Sequence, residues 1–115
     1  MSDRSLIVAR LNPGGSRGIA KLFAESDSGE LPRLLGVRRR HLFAYQDLYF
    51  HYVEFAGERH QALRAAAGRA DFRELSVALD EHVTAYDPAT WRSPADAMAG
   101  EFYRWTPEAG PEMVA

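Results

Sequence analysis

The sequence predicts an α+β fold, an antiparallel β-sheet carrying helices on one face, and three observations predict it. Val37 to Tyr45 and Leu48 to Phe55 are rich in aromatic and β-branched residues and are separated only by Gln46-Asp47, the pattern of a hairpin. Helical periodicity flanks that hairpin on both sides, in Ile19, Leu22 and Phe23 before it and in Phe72, Leu75 and Leu79 after it. The chain has 115 residues, 46% hydrophobic and 26% charged, which suits one domain with a core that needs no metal or disulfide staple.

Each element has its own signal. Ser5 to Leu11 is a short aliphatic run stopped by Asn12-Pro13-Gly14-Gly15, a strand entering a loop. From Ser16 the residues Ile19, Leu22 and Phe23 mark a helix, which Ser28-Gly29 ends, and Leu31 to Gly36 is a connector. After the hairpin, Ala-rich Glu58 to Ala67 has strong helix propensity and stops at Gly68. Asp71 followed by Glu74 resembles a capping box for the next helix, with Phe72, Leu75, Leu79 and His82 on one side. Ser93-Pro94-Ala95-Asp96 supplies a cap, a proline and an acid for a short helix that Gly100 ends. Glu101 to Thr106, with Phe102, Tyr103 and Trp105, is the last strand of a domain spanning 1–106, and residues 107–115 are a loose tail. Strand, helix, two strands, helices, strand is the split βαβ order of ferredoxin-like folds.

A two-residue turn at Gln46-Asp47 fixes the hairpin register and sorts its side chains. Arg40, Leu42, Ala44, Tyr49, His51 and Val53 share one face; Arg39, His41, Phe43, Tyr45, Leu48, Phe50 and Tyr52 share the other. Both faces are too apolar for water, yet short connections keep the helices on one side. The aromatic face of Phe43, Tyr45, Phe50 and Tyr52 is therefore expected to meet a second copy in a two-fold homodimer.

Charge and composition exclude several classes. Fourteen basic against 16 acidic residues give a net charge of −2, no field for a phosphate backbone, so nucleic acid is not expected as a partner. Without cysteine there is no disulfide, thiolate nucleophile or iron–sulfur cluster, and a reducing compartment fits. The beginning of the chain shows no apolar signal core, and no apolar run approaches membrane-spanning length, so the expected location is the cytoplasm, with no membrane partner. His41, His60 and His82 lack the spacing of metal ligands, and no glycine-rich phosphate loop follows a strand, so neither metal nor nucleotide cofactor is expected.

The helix-facing side of the hairpin carries the candidate chemistry. Arg40 and His51 lie diagonally across it, their Cβ atoms about 5–8 Å apart, within reach of one bound molecule. An apolar wall holding two convergent polar groups is how small-molecule pockets are built. A guanidinium on such a face needs a substrate oxygen or an anionic partner, and an ion pair with Asp27 or Glu25 would also satisfy it. His51 is either a proton carrier or a satisfied core histidine. Asp27 stands near the end of the first helix, where a surface acid is common. Arg38 and Arg39 read as a solvated charge run, and Trp91, Trp105 and Tyr86 as core or interface anchors.

Several blocks of the chain resemble the tetracenomycin-type aromatic polyketide cyclases. They are Leu22-Phe23-Ala24-Glu25 with Asp27, Glu30 to Arg40 with Leu42-Phe43, Asp47 to His51, and Ala85 to Ala99 with Phe102-Tyr103 and Trp105. The later blocks are similar to members from angucycline and spore-pigment pathways, and together the blocks cover nearly the whole chain. The resemblance implies a dimeric α+β barrel of ferredoxin-like subunits, a pocket between sheet and helices, and cofactor-free aldol cyclisation of an aromatic polyketide; transient contact with polyketide synthase components is expected as well. It implies functional roles for Arg40, His51 and Asp27; Phe23, Leu42, Tyr49 and Val53 are expected to form the wall that folds the substrate. One departure is Ser26, where the family pattern has a His directly before the Asp, which counts against mechanisms requiring two histidines. A cofactor-independent anthrone-type monooxygenase and a non-catalytic polyketide-binding module are the competing functions.

Overall fold

A computed structural model describes residues 3–92 and 94–114. The aliphatic run near the start of the chain lies in β1 (Asp3–Leu11), and the hairpin forms β2 (Val37–Tyr45) and β3 (Leu48–Phe55). Between β1 and β2 lie α1 (Gly15–Asp27) and a single turn, α2 (Leu31–Leu34), where the sequence suggested only a connector; Pro32 sits in its first turn, where a missing N–H costs nothing. Then follow α3 (Arg59–Ala67), α4 (Ala70–Leu79), β4 (Val83–Thr84), a 3₁₀ turn at Pro94–Ala97, β5 (Tyr103–Thr106) and β6 (Gly110–Met113).

The main sheet has the order β2-β3-β1-β4, with every pairing antiparallel, which is the ferredoxin-like arrangement. Register in the hairpin follows from its turn: Tyr45 pairs with Leu48, Leu42 with His51 and Arg40 with Val53. Gln46 adopts φ 55°, which the tight turn demands. The register slips between Val37 and Arg39, so that Val37, rather than Arg38, opposes buried Phe55. This bulge keeps a cation out of the core and lets Val37 pack there.

Four expectations are corrected. The tail expected to be loose at 107–115 carries a strand: Gly110 turns with φ 73°, and β6 pairs with β5 from Tyr103–Met113 to Thr106–Gly110. The strand read at Glu101–Thr106 belongs to this separate two-stranded sheet, and the fourth position of the main sheet is taken by β4, two residues too short to show periodicity. Asp71 is not the N-cap of α4; Arg69 is, with its guanidinium paired to the Asp71 carboxylate. His82 lies beyond α4, against the start of α1. The expected cap at Ser93 falls outside the described residues.

The helices bury one face of the sheet. Ile19 and Phe23 from α1 join Ala9 and Tyr49 in one cluster, with Leu75 and Leu79 of α4 against it; Ala62 of α3 joins Val53 and Phe55 in another. Glu58 caps α3 by accepting from the Gln61 N–H, and Asp3 ties the same end to β1 by accepting from the Arg59 N–H. Asn12 clamps β4 to β1: its N–H donates to the His82 carbonyl, its Nδ2 to the Glu81 carbonyl, and its Oδ1 accepts from Thr84 Oγ1. That clamp presses the chain onto α1, where a Cβ on Gly15 would stand 2.8 Å from the His82 oxygen. Gly15 is thus required for close approach, not merely for the turn. Replacing it with Ala should destabilise the fold by about 1–3 kcal/mol, the range for overpacking, although Ala is the better helix former. Chemical denaturation checks this, and a stabilised variant would refute the contact.

Candidate active site

The face that meets the helices is not sealed. Between sheet and helices lies a cavity of about 360 Å³ lined mainly by apolar side chains, among them Phe23, Val53, Leu75 and Trp91. Strand alternation sets the polar groups in its wall: Arg40 comes from β2, and Tyr49 and His51 from β3, all on the helix-facing side.

Arg40 is the centre of the arrangement. Its Nε and Nη2 donate to Asp27 Oδ2 and Oδ1 at 3.0 and 2.8 Å, a bidentate pair between β2 and the last residue of α1. Its Nη1 donates to His51 Nε2 at 2.8 Å. Beneath, the guanidinium carbon stands 4.6 Å from the centre of the Phe23 ring, a cation–π contact. The Arg40 side chain is only 14% exposed against 37% for Asp27, so the cation is sunk in the wall while its counter-ion reaches toward water.

Since arginine has only donors, His51 Nε2 must be the unprotonated nitrogen and Nδ1 must carry the hydrogen. Burial, and then the neighbouring Arg40 charge, lowers the His51 pKa from 6.5 to about 3, so the ring is neutral at physiological pH. Phe23 supports it, with ring centres 5.0 Å apart. Tyr49 is 6% exposed, and burial raises its phenol above the ordinary tyrosine range, so it stays protonated as a donor. Arg40 holds five N–H groups in all; Nε, one on Nη2 and one on Nη1 are committed, which leaves one on each terminal nitrogen for a ligand oxygen.

The structure thus brings together Arg40, His51, Asp27, Phe23, Tyr49 and Val53. Leu42, expected in the substrate wall, is placed otherwise: it packs against the cluster of Ala9, Ile19, Phe23 and Tyr49 and is not part of the cavity lining. Ser26, on the turn of α1 before Asp27, does line the cavity. Sequence reasoning missed Ser5, Ser76 and Arg92, which also line it. Ser5 had a readable signal, since it falls on the inward parity of β1. Arg92 had none, because it comes from a loop without periodicity.

The depressed His51 pKa has a thermal consequence. The unfolded chain takes up the imidazole proton near pH 6.5 but the folded chain only near 3, so stability contributed by neutral His51 is lost as pH falls across that window. Calorimetric melting of wild type and His51→Asn over this range should show a shallower acid decline in the variant. Parallel curves would mean that the ring titrates freely.

Known proteins share this chain's sequence pattern and fold. The polyketide synthesis cyclase family matches residues 3–106. A Streptomyces cyaneus protein named polyketide synthase CurG is 43% identical over 101 residues, 88% of this chain and 94% of its own. Tetracenomycin F2 cyclase of Streptomyces glaucescens is 37% identical over 106 residues, 92% of this chain and 96% of its own. The solved structure of that cyclase, described as a type-II polyketide cyclase, covers 90% of this chain and 97% of its own with a TM-score of 0.82 at 36% identity. SnoaB, a cofactor-independent oxygenase from Streptomyces nogalater, shares the fold alone, at 20% identity, TM-score 0.57, and coverage of 72% of this chain and 84% of its own. A match running through the sheet, the helices and β5, joined to a superposition on a cyclase of known structure, establishes that the chain belongs to the polyketide synthesis cyclase family, in its tetracenomycin type.

Proposed function

We propose that this protein is a cytoplasmic enzyme that closes and aromatises a ring of a poly-β-ketone by intramolecular aldol cyclisation without a cofactor. The supporting observation is the Asp27–Arg40–His51 chain set in an otherwise apolar cavity. A methylene between two carbonyls is already acidic, so its carbanion needs stabilisation more than it needs a strong base. Its C–H bond breaks, the new C–C bond forms at a ketone carbon, and the ketone oxygen takes up a proton. Loss of that hydroxyl with a hydrogen from the neighbouring carbon, as water, and enolisation of the remaining ring ketones then give the aromatic ring, with no change in oxidation level overall.

Arg40 stabilises the developing enolate or alkoxide through its two uncommitted N–H groups, and Asp27 holds the guanidinium in place before the substrate arrives. The resting geometry refines the role expected for His51. With Nε2 occupied and a cation alongside, the ring is a poor base and a good Nδ1–H donor. An oxyanion that draws Nη1 toward itself releases Nε2, so the imidazole gains basicity as negative charge appears in the cavity. Phe23, Val53 and Tyr49 fold the chain by shape.

Reconstitution with a minimal aromatic polyketide synthase, with and without this protein, tests the reading by product analysis. Arg40→Ala should lower the cyclisation rate by about 10²–10³-fold, the usual loss for one oxyanion donor, while the protein remains folded. Unchanged products and rate would remove Arg40 from the reaction, and oxygen uptake with an anthrone would point to oxygenation instead.

We propose further that the outer sheet face joins two copies into a homodimer. Phe43 and Tyr45 are 56% and 67% exposed there, an open aromatic surface for which a second copy is the matching cover. The double variant Phe43→Glu, Tyr45→Glu should sediment as a monomer where the wild type sediments as a dimer. A monomeric wild type at micromolar concentration would refute this interface.

A further inference from the structure

Ser5 is 4% exposed, the one buried polar residue among the described residues, and it lines the cavity. Its Oγ has no hydrogen-bond partner among the described residues. A hydroxyl buried in this way loses its hydration and gains nothing from the protein. Its inward neighbours on β1, Ile7 and Ala9, are apolar, so strand alternation alone would place a hydrocarbon at this position.

The sheet register gives the hydroxyl a defined place relative to the candidate chemistry. Ser5 pairs with Val53, and Val53 pairs with Arg40, so all three lie on one rung with Ser5 and Arg40 two strands apart, about 9–10 Å between Cα atoms from strand spacing. The next rung on the same face, two residues along each strand, carries Ile7, His51 and Leu42. A poly-β-ketone carries an oxygen on every second carbon, and a seryl hydroxyl both donates and accepts hydrogen bonds. We infer that Ser5 binds one substrate oxygen at a fixed distance from Arg40 and thereby sets which carbonyl meets the guanidinium, making it a determinant of ring position. The inference rests on reading this cavity as the polyketide site.

The test separates that role from a merely structural one. Binding of 1,3-dihydroxynaphthalene, which carries oxygens on alternate carbons, and of naphthalene, which carries none, is measured calorimetrically for wild type, Ser5→Ala and Ser5→Thr. Ser5→Ala should weaken the dihydroxy probe roughly 3- to 10-fold, as expected for one net hydrogen bond, and leave naphthalene bound as before. Ser5→Thr, which keeps the hydroxyl, should restore the preference, and reconstituted Ser5→Ala should give a mixture of ring patterns. An equal ratio of the two affinities in wild type and Ser5→Ala would overturn the role. A wild type that cyclises nothing would instead sink the proposed reaction while leaving the affinity ratio to decide Ser5.

Discussion

The site depends on one cation being held in three directions at once. Asp27 fixes Arg40 bidentately, His51 accepts its third hydrogen bond, and Phe23 lies under its plane. Each partner comes from a different constraint: α1 ends at Asp27, β3 delivers His51 by register, and Phe23 is one helical turn before Asp27. Buried charge without such partners would be prohibitive. Its cost here is met mainly by a counter-ion that stays partly in water, so the arginine remains ionised inside an apolar wall.

That arrangement also explains why a histidine with an ordinary solution pKa near neutrality behaves differently here. Burial and the adjacent guanidinium both oppose protonation, in that order. The imidazole is therefore a spacer and hydrogen-bond partner at rest, and its basicity is tied to the position of Arg40. The protonation of His51 is thus governed by the guanidinium bonded to its Nε2 as well as by its burial.

Much of the site was legible because sheet geometry converts sequence spacing into position. A two-residue turn at Gln46-Asp47 fixes parity for the hairpin, so Arg40 and His51 follow onto one face from counting alone. Tyr49 and Val53 follow by the same rule, and Phe23 by helical period. What counting does not supply is depth. Leu42 has the correct parity, but its side chain is absorbed by the core, and only packing decides between core and cavity. Short or aperiodic pieces were opaque for another reason: β4 has two residues, and Trp91 and Arg92 reach the cavity from a loop whose path is set by distant contacts. The strand read at Glu101–Thr106 had the right composition, but composition does not choose a partner, and the neighbouring Gly110 turn supplied β6 instead. The resemblance to the cyclases added the expectation of a pocket between sheet and helices and a role for Asp27; that Arg40 and His51 share one face came from parity.

The bulge beside Arg38 separates two tasks within one strand. From Tyr45 back to Arg39 the ladder is counted from the turn, while the mismatch with the rest of the chain is discharged at Arg38. Length changes in the segment leading into β2 can therefore be absorbed at that point without rotating the guanidinium off its rung. The turn side, by contrast, has to keep its length, because one inserted residue there would carry Arg40 to the opposite face of the sheet.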